Sequence, residues 1–156
     1  MKTNAYFNGM RKTLYDWSAA KKERAERKKT IVETLGWESE ELRAWYEEEA
    51  AAKYPFSGGE SKAYQAWAVT VSRGEEEFEM DDFLWDTDVH DFVETLRKAG
   101  IRSFVYTNKS TAVMENLHAL AAEGCEMTGL CTIDRMEERF GTETLEKIPG
   151  VRFTVK

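Results

Sequence analysis

The chain has 156 residues, 42% apolar and 33% charged, with five Trp, six Tyr and eight Phe. That aromatic content excludes a disordered chain, and the length fits one domain whose core needs no staple. No run of seven consecutive apolar residues occurs, so neither a secretory signal nor a transmembrane helix is expected. A cytoplasmic protein with no membrane partner is the expectation.

The net charge of −7 is unevenly spread. Residues 1–30 carry nine Lys or Arg against Asp16, Glu23 and Glu26, so the leading segment stands at +6 and the remainder at −13. A basic helix on an acidic body points to charged partners or to internal pairing.

Asn4 caps a helix from Ala5, whose stripe of Phe7, Met10, Leu14 and Trp17 returns at Ile31, Val32 and Leu35. This is one long helix, or two with a break near Ser18, stopped at Gly36. Ser39 opens a second helix around Leu42, Trp45 and Tyr46, ending before Pro55. The stretch 56–59 reads as a loop. Ser61 opens a third helix (Ala63, Tyr64, Trp67, Ala68, Val71) that Gly74 closes.

Phe78–Met80 reads as an edge strand. Asp86 or Thr87 caps the next helix (Val89, Phe92, Val93, Leu96), which Gly100 ends. Ile101–Thr107 is apolar on both faces and so predicts a central strand. Ser110 caps a further helix with Met114, Leu117, Leu120 and Ala121 inward. Cys125–Arg135 is the next strand, with Gly129 at a bulge. A polar loop follows, and Pro149-Gly150 introduces a last strand with Val151, Phe153 and Val155 alternating. The last two strands suit a long-looped hairpin.

The expected fold is therefore α/β or α+β in a single domain. Three helices in residues 1–74 cover a small mixed sheet, and residues 75–156 run β-α-β-α-β-β. Cys125 and Cys131 stand about 20 Å apart along one strand, too far to bond to each other, so both are expected as free thiols.

The segment Phe78–Thr87 resembles the first motif of haloacid-dehalogenase-like phosphatases, and Ile101–Asn108 resembles their second. The resemblance implies a Mg²⁺-dependent phosphotransferase, with Glu79 at the nucleophile position, Asp81 as general acid, and Thr107 and Asn108 on the phosphate. It breaks where the chemistry lies. Glu79 carries one methylene too many for in-line attack, Phe83 stands where that family keeps Thr, and no matching Lys or closing acidic pair follows. The simpler reading makes Asp86 and Asp88 helix-terminal charges and the rest of the acidic run from Glu75 to Asp91 a solvated face. His90 and His118 have no nucleophile or metal-ligand spacing around them, and no cofactor or metal is expected.

The basic stretch of Lys21, Lys22, Arg24, Arg27, Lys28 and Lys29 is the candidate interaction surface. It suits nucleic acid or an anionic partner, and equally the acidic runs Glu47–Glu49 and Glu75–Glu77, within the fold or across a homo-oligomer.

Phe92–Gly100, Ser110-Thr111-Ala112, Met114 and the stretch from Glu123-Gly124-Cys125 to Gly129-Leu130-Cys131 resemble a family of small uncharacterised proteins of bacterial genomes and their mobile elements. The resemblance implies no activity. It implies an accessory protein, an inhibitor or adaptor of a host or mobile-element system. The leading expectation is a non-enzymatic protein with a protein partner; phosphotransfer and nucleic-acid association are the alternatives.

Overall fold

The computed structural model describes residues 3–82, 84–107 and 112–156. The chain forms helices α1 (Ala5–Leu35), α2 (Glu40–Ala51) and α3 (Gly58–Ser72), strand β1 (Glu79–Met80), a single 3₁₀ turn at Asp86–Asp88, α4 (Val89–Lys98), β2 (Ser103–Tyr106), α5 (Val113–Ala122), β3 (Cys125–Arg139) and β4 (Thr142–Val155). The fold is mixed α+β, with three leading helices and β-α-β-α-β-β after them. By contacts Met1–Phe7 with Ser57–Lys156 form one unit, and Asn8–Phe56 the other.

The smaller unit is an αα-hairpin. Helix α1 runs unbroken through Ser18, and its polar middle is helical because a second helix supplies what its own sequence lacks. Gly36 ends it at φ +81°, a conformation natural to glycine. Ser39 caps α2, its hydroxyl accepting from the Leu42 N–H at 3.2 Å. Two tryptophans tie the hairpin together: Trp45 Nε1 donates to the Arg24 carbonyl at 2.7 Å and Trp17 Nε1 to the Lys53 carbonyl at 3.1 Å.

The larger unit holds a four-stranded sheet of order β1-β2-β4-β3. Strand β1 pairs parallel to β2, and β4 pairs antiparallel to both β2 and β3. As the pattern predicts, β1 is an edge and β2 is central, with Phe104, Val105 and Tyr106 buried. A run of buried aromatic rings forms the core: Phe7 stacks on Trp67 at 5.2 Å between centroids, and Phe78, Phe92, Phe104 and Phe153 continue from Phe7 at 5.3–6.3 Å per step. Each such contact adds about 0.5–1.5 kcal/mol beyond the area it buries.

Four local readings are corrected. First, α3 starts at Gly58, not Ser61. Ser57 and Glu60 make a reciprocal capping box, and the glycines are there for closeness. A Cβ on Gly59 would stand 2.2 Å from the Asp88 carbonyl oxygen, so only glycine lets α3 meet α4. Second, neither Asp86 nor Thr87 caps α4, whose N-cap position is Asp88, without a side-chain capping hydrogen bond. The Asp88 carboxylate instead lies against Gly58, at the positive end of α3. Third, Met114 and Ala121 of α5 face out, and Asn116 takes a fully buried place beside Leu120. Ser110, the expected cap, lies outside the described residues, as does Phe83.

Fourth, no polar loop separates the last strands. Strands β3 and β4 pair from Cys125↔Val155 to Arg139↔Thr142, so Phe140 and Gly141 alone form the turn. Both have positive φ, 53° and 75°, the conformation a tight hairpin demands. Pro149 sits inside β4 opposite Thr132. It is tolerated because β4 has no second neighbour there: β2 pairs only with 151–154. Gly129 does mark a bulge, between Met127 and Gly129.

Candidate functional site

Alternation along the paired strands puts Glu79, Val105, Arg152, Gly150, Cys131, Ile133 and Arg135 on one face of the sheet. Glu79 is its centre. Its side chain is 1% exposed and takes cations from two distant elements. Arg135 Nη2, from β3, donates to both carboxylate oxygens, at 2.7 Å to Oε2. Arg73 Nη1, just past α3, reaches Oε2 at 3.4 Å, and Thr107 Oγ1 donates to the same oxygen at 3.1 Å. The Glu79 N–H is held by Thr70 Oγ1 at 3.2 Å. A carboxylate removed from water needs this many donors.

Around it the charges alternate. Arg73 Nη2 holds Asp81 at 2.8 Å, and Arg135 also faces Glu75 at 3.5 Å. Burial works against the Arg135 charge, yet the hydrogen bond and charge of Glu79, with Glu75 and Asp81 behind it, raise its pKa above the ordinary guanidinium value. Gly150 makes room for the end of β2: a Cβ there would meet Val105 Cγ1 at 2.8 Å and Thr107 Cγ2 at 3.1 Å. Two open grooves flank Arg73. One, of about 440 Å³, is lined by Gln65, Ala66, Val69, Arg73, Asp81 and Asp82; the other, of about 390 Å³, by Arg73, Glu75, Asp134, Arg135 and Met136.

The structure thus brings Glu79, Asp81 and Thr107 together, while Asn108 lies outside the described residues. The acidic run is solvated at Glu76, Glu77 and Asp82, whereas Glu79 is buried and Glu75 and Asp81 are half-buried. Glu75, Glu77, Glu79, Asp81 and Asp82 each meet a cation from outside the run: Arg135, Arg152, Arg135 with Arg73, Arg73, and Lys62. Those cations come from α3, β3 and β4, which a linear reading does not connect. The donor set does not suit Mg²⁺, because guanidinium groups take the oxygens an ion would need. Among the described residues, no group of three or more His, Cys, Asp or Glu side chains comes together as a metal site.

The basic stretch of α1 is answered within its own hairpin. Arg24 Nε pairs with Glu49 at 2.7 Å and Arg27 Nη2 with Glu48. Lys28 Nζ stands 4.9 Å over Trp45 and 4.7 Å over Tyr46, and Lys21 stands 5.0 Å over Trp17, within cation–π range. Lys22 and Lys29 are exposed. Both carboxylates belong to the run Glu47–Glu49.

Residues 62–155, more than half of the chain, match the family described as Domain of unknown function (DUF7698). The chain belongs to the DUF7698 family. No curated protein and no solved structure matches it. The DUF7698 segment starts within α3 and takes in the whole sheet, including Arg73, Glu79, Thr107 and Arg135. No helix among the described residues is long and apolar enough to cross a membrane.

Two features of the DUF7698 fold escape the sequence reading. Asn116 is buried within α5 and donates to the Leu84 carbonyl and, at 3.0 Å, to Tyr106 Oη, fixing the chain after β1 to the end of β2. The available signal was a polar residue at helical spacing between Val113 and Leu120. The second feature is an arm. From Thr142 to Gly150, β4 has β3 alone as a strand partner among the described residues. This ribbon exposes Leu130 at 84%, Met136, Leu145 and, at its tip, Phe140 with a wholly solvated ring.

Proposed function

We propose that this protein is a non-enzymatic accessory protein that engages a protein partner through the β3–β4 arm, as an inhibitor or adaptor in a host or mobile-element system. The observation that carries this reading is Phe140. A tight turn with two positive φ angles calls for Asn-Gly or Asp-Gly; a Phe in that conformation costs about 1–2 kcal/mol. The ring gains nothing from the fold, since it is fully exposed. Backbone strain tolerated for a solvated aromatic points to a use outside the fold, and an aromatic anchor is the usual centre of a protein contact.

The test is an affinity capture of the tagged chain from host lysate, with and without nuclease, comparing the wild type with Phe140→Asn. The variant suits the turn better, so its stability rises by about 1 kcal/mol. A stoichiometric protein that survives nuclease, and that Phe140→Asn loses, supports the reading. Capture that the substitution leaves untouched sinks it.

A second reading, a divergent phosphotransferase, draws on the meeting of Glu79, Asp81 and Thr107 at the ends of two parallel strands. Against it stands Arg135, which binds both Glu79 oxygens in a position closed to solvent. Phosphate release from an aryl phosphate that disappears in Asp81→Asn would revive it.

A further inference from the structure

Strand β3 is the edge of the sheet opposite β1, fifteen residues long, and packs chiefly on β4 and α5. Among the described residues its outer backbone edge has no strand partner from Gly129 to Arg139. Natural edges of such length are covered, broken by proline or lined with lysine, because a bare edge templates another strand. This one has no Pro and no Lys, and its single bulge, at Thr128, lies near one end.

We propose that the outer edge of β3 pairs antiparallel with β3 of a second copy, about a two-fold axis at Ile133. A two-fold axis perpendicular to the sheet keeps its faces, so each residue must meet one on the same face. Only registers centred on a residue satisfy this. Centred on Ile133, Ile133 meets its own copy, Leu130 meets Met136, Cys131 meets Arg135, Thr132 meets Asp134, and Gly129 meets Glu137. Every charged side chain faces a neutral one. Leu130 and Met136, 84% and 57% exposed in the single chain, cover each other twice. The neighbouring registers fail. Moving the centre to Asp134 or Arg135 sets like charges directly opposite, which is destabilising. Moving it to Thr132 puts Leu130 on Asp134.

Asp134 is already neutralised within its chain by Lys147 at 3.3 Å, and Arg135 turns inward to Glu79. The axis therefore carries little uncompensated charge. Pairing over residues 127–139 gives a seam of roughly 40 Å and a continuous eight-stranded sheet with two arms. Phe140 and Leu145 take no part in it, so this inference stands or falls apart from the proposed function.

Sedimentation of the full chain tests it. The expected mass is twice 18.0 kDa. Leu130→Glu combined with Met136→Glu sets carboxylates opposite each other and lowers the mass to that of one chain. Leu130→Glu combined with Met136→Lys restores the dimer, which only this register predicts. Both residues are solvent-exposed in the single chain, so circular dichroism of the variants should match the wild type. In a Cys131→Ser background, Ile133→Cys forms an intermolecular disulfide, because cross-strand partners stand about 4.5–5.5 Å apart. Leu130→Cys alone does not. A wild type that stays monomeric throughout the micromolar range, or a dimer indifferent to the paired glutamates, overturns the proposal. A monomer whose edge takes up an extended peptide overturns it as well.

Discussion

The molecule holds two arginine–glutamate clusters of similar composition and opposite setting. Around Glu79, two arginines meet a carboxylate shut off from water. On the α1–α2 hairpin, Arg24 and Arg27 meet Glu49 and Glu48 at the surface, with side-chain exposures of 11–53%. Both regions looked like functional sites in the sequence, one as an acid cluster and one as a basic patch. The difference lies in the cost of leaving a charge alone. A buried charge stripped of its partner has no water to turn to, whereas a surface charge has. The first cluster therefore specifies which strands meet, and the second merely decorates a helix pair.

Removing Glu79 is the sharpest way to test that contrast. Glu79→Ala takes from Arg135 and Arg73 the carboxylate they share and leaves Arg135 only Glu75, at 3.5 Å, and the expected loss is about 3–5 kcal/mol in urea unfolding. Glu79→Gln keeps the shape and the Thr107 contact but discards the charge, and the loss falls to about 1.5–3 kcal/mol. If both variants unfold at the wild-type urea midpoint, the cluster is not structural, and Glu79 becomes free to be considered for chemistry.

How much of this was legible beforehand follows from where the signal originates. Helices were readable because their apolar stripes are buried: Val89, Phe92, Val93 and Leu96 are all at or below 1% exposure. The central strand was readable for the same reason. The arm was not, because its burial alternates along β3 but its residue types do not: Met136 and Leu145 lie in water beside Glu138 and Glu143. Such a stretch looks like a loop by composition alone. Gly141 was its one turn signal, masked by Phe140 where Asn or Asp is usual. The cluster was half visible. Glu79, Asp81 and Thr107 could be placed at strand ends, but Arg135 lies 56 residues from Glu79, and only the order and register of the paired strands bring it back. The capping box at Ser57 and Glu60 was present in plain letters, yet two glycines between them argued for a loop until Asp88 explained their need for space.

The surface cluster supplies the middle of the range. Arg24 is nearly buried and its Nε meets Glu49, so Arg24→Ala is expected to cost about 1 kcal/mol, part of it lost packing of the stem. Arg27 and Glu48 are each about half exposed, and Arg27→Ala should cost less than about 0.5 kcal/mol. Added salt sharpens the comparison, since a Debye length near 3 Å at 1 M screens the exposed pair and leaves the Glu79 cluster largely intact. The Arg27→Ala deficit should vanish in high salt while the Glu79→Ala deficit persists.

The smallest effect belongs to His90. Its Nδ1 lies 2.9 Å from Glu123 Oε2, and that hydrogen bond, with the carboxylate's charge, raises the His90 pKa above its ordinary value. The folded state thus binds the proton more tightly than the unfolded chain does. Linkage then gives a stabilisation fully present below the unfolded value, near 6.5, and lost as the pH climbs through the higher folded value. The His90 side chain is largely exposed, so the effect is slight and salt-sensitive. His90→Asn should lower the urea midpoint at pH 6 and leave it unchanged at pH 9. The reverse order would mean that the neutral ring is the partner Glu123 prefers, and that even this surface pair is set by packing rather than by charge.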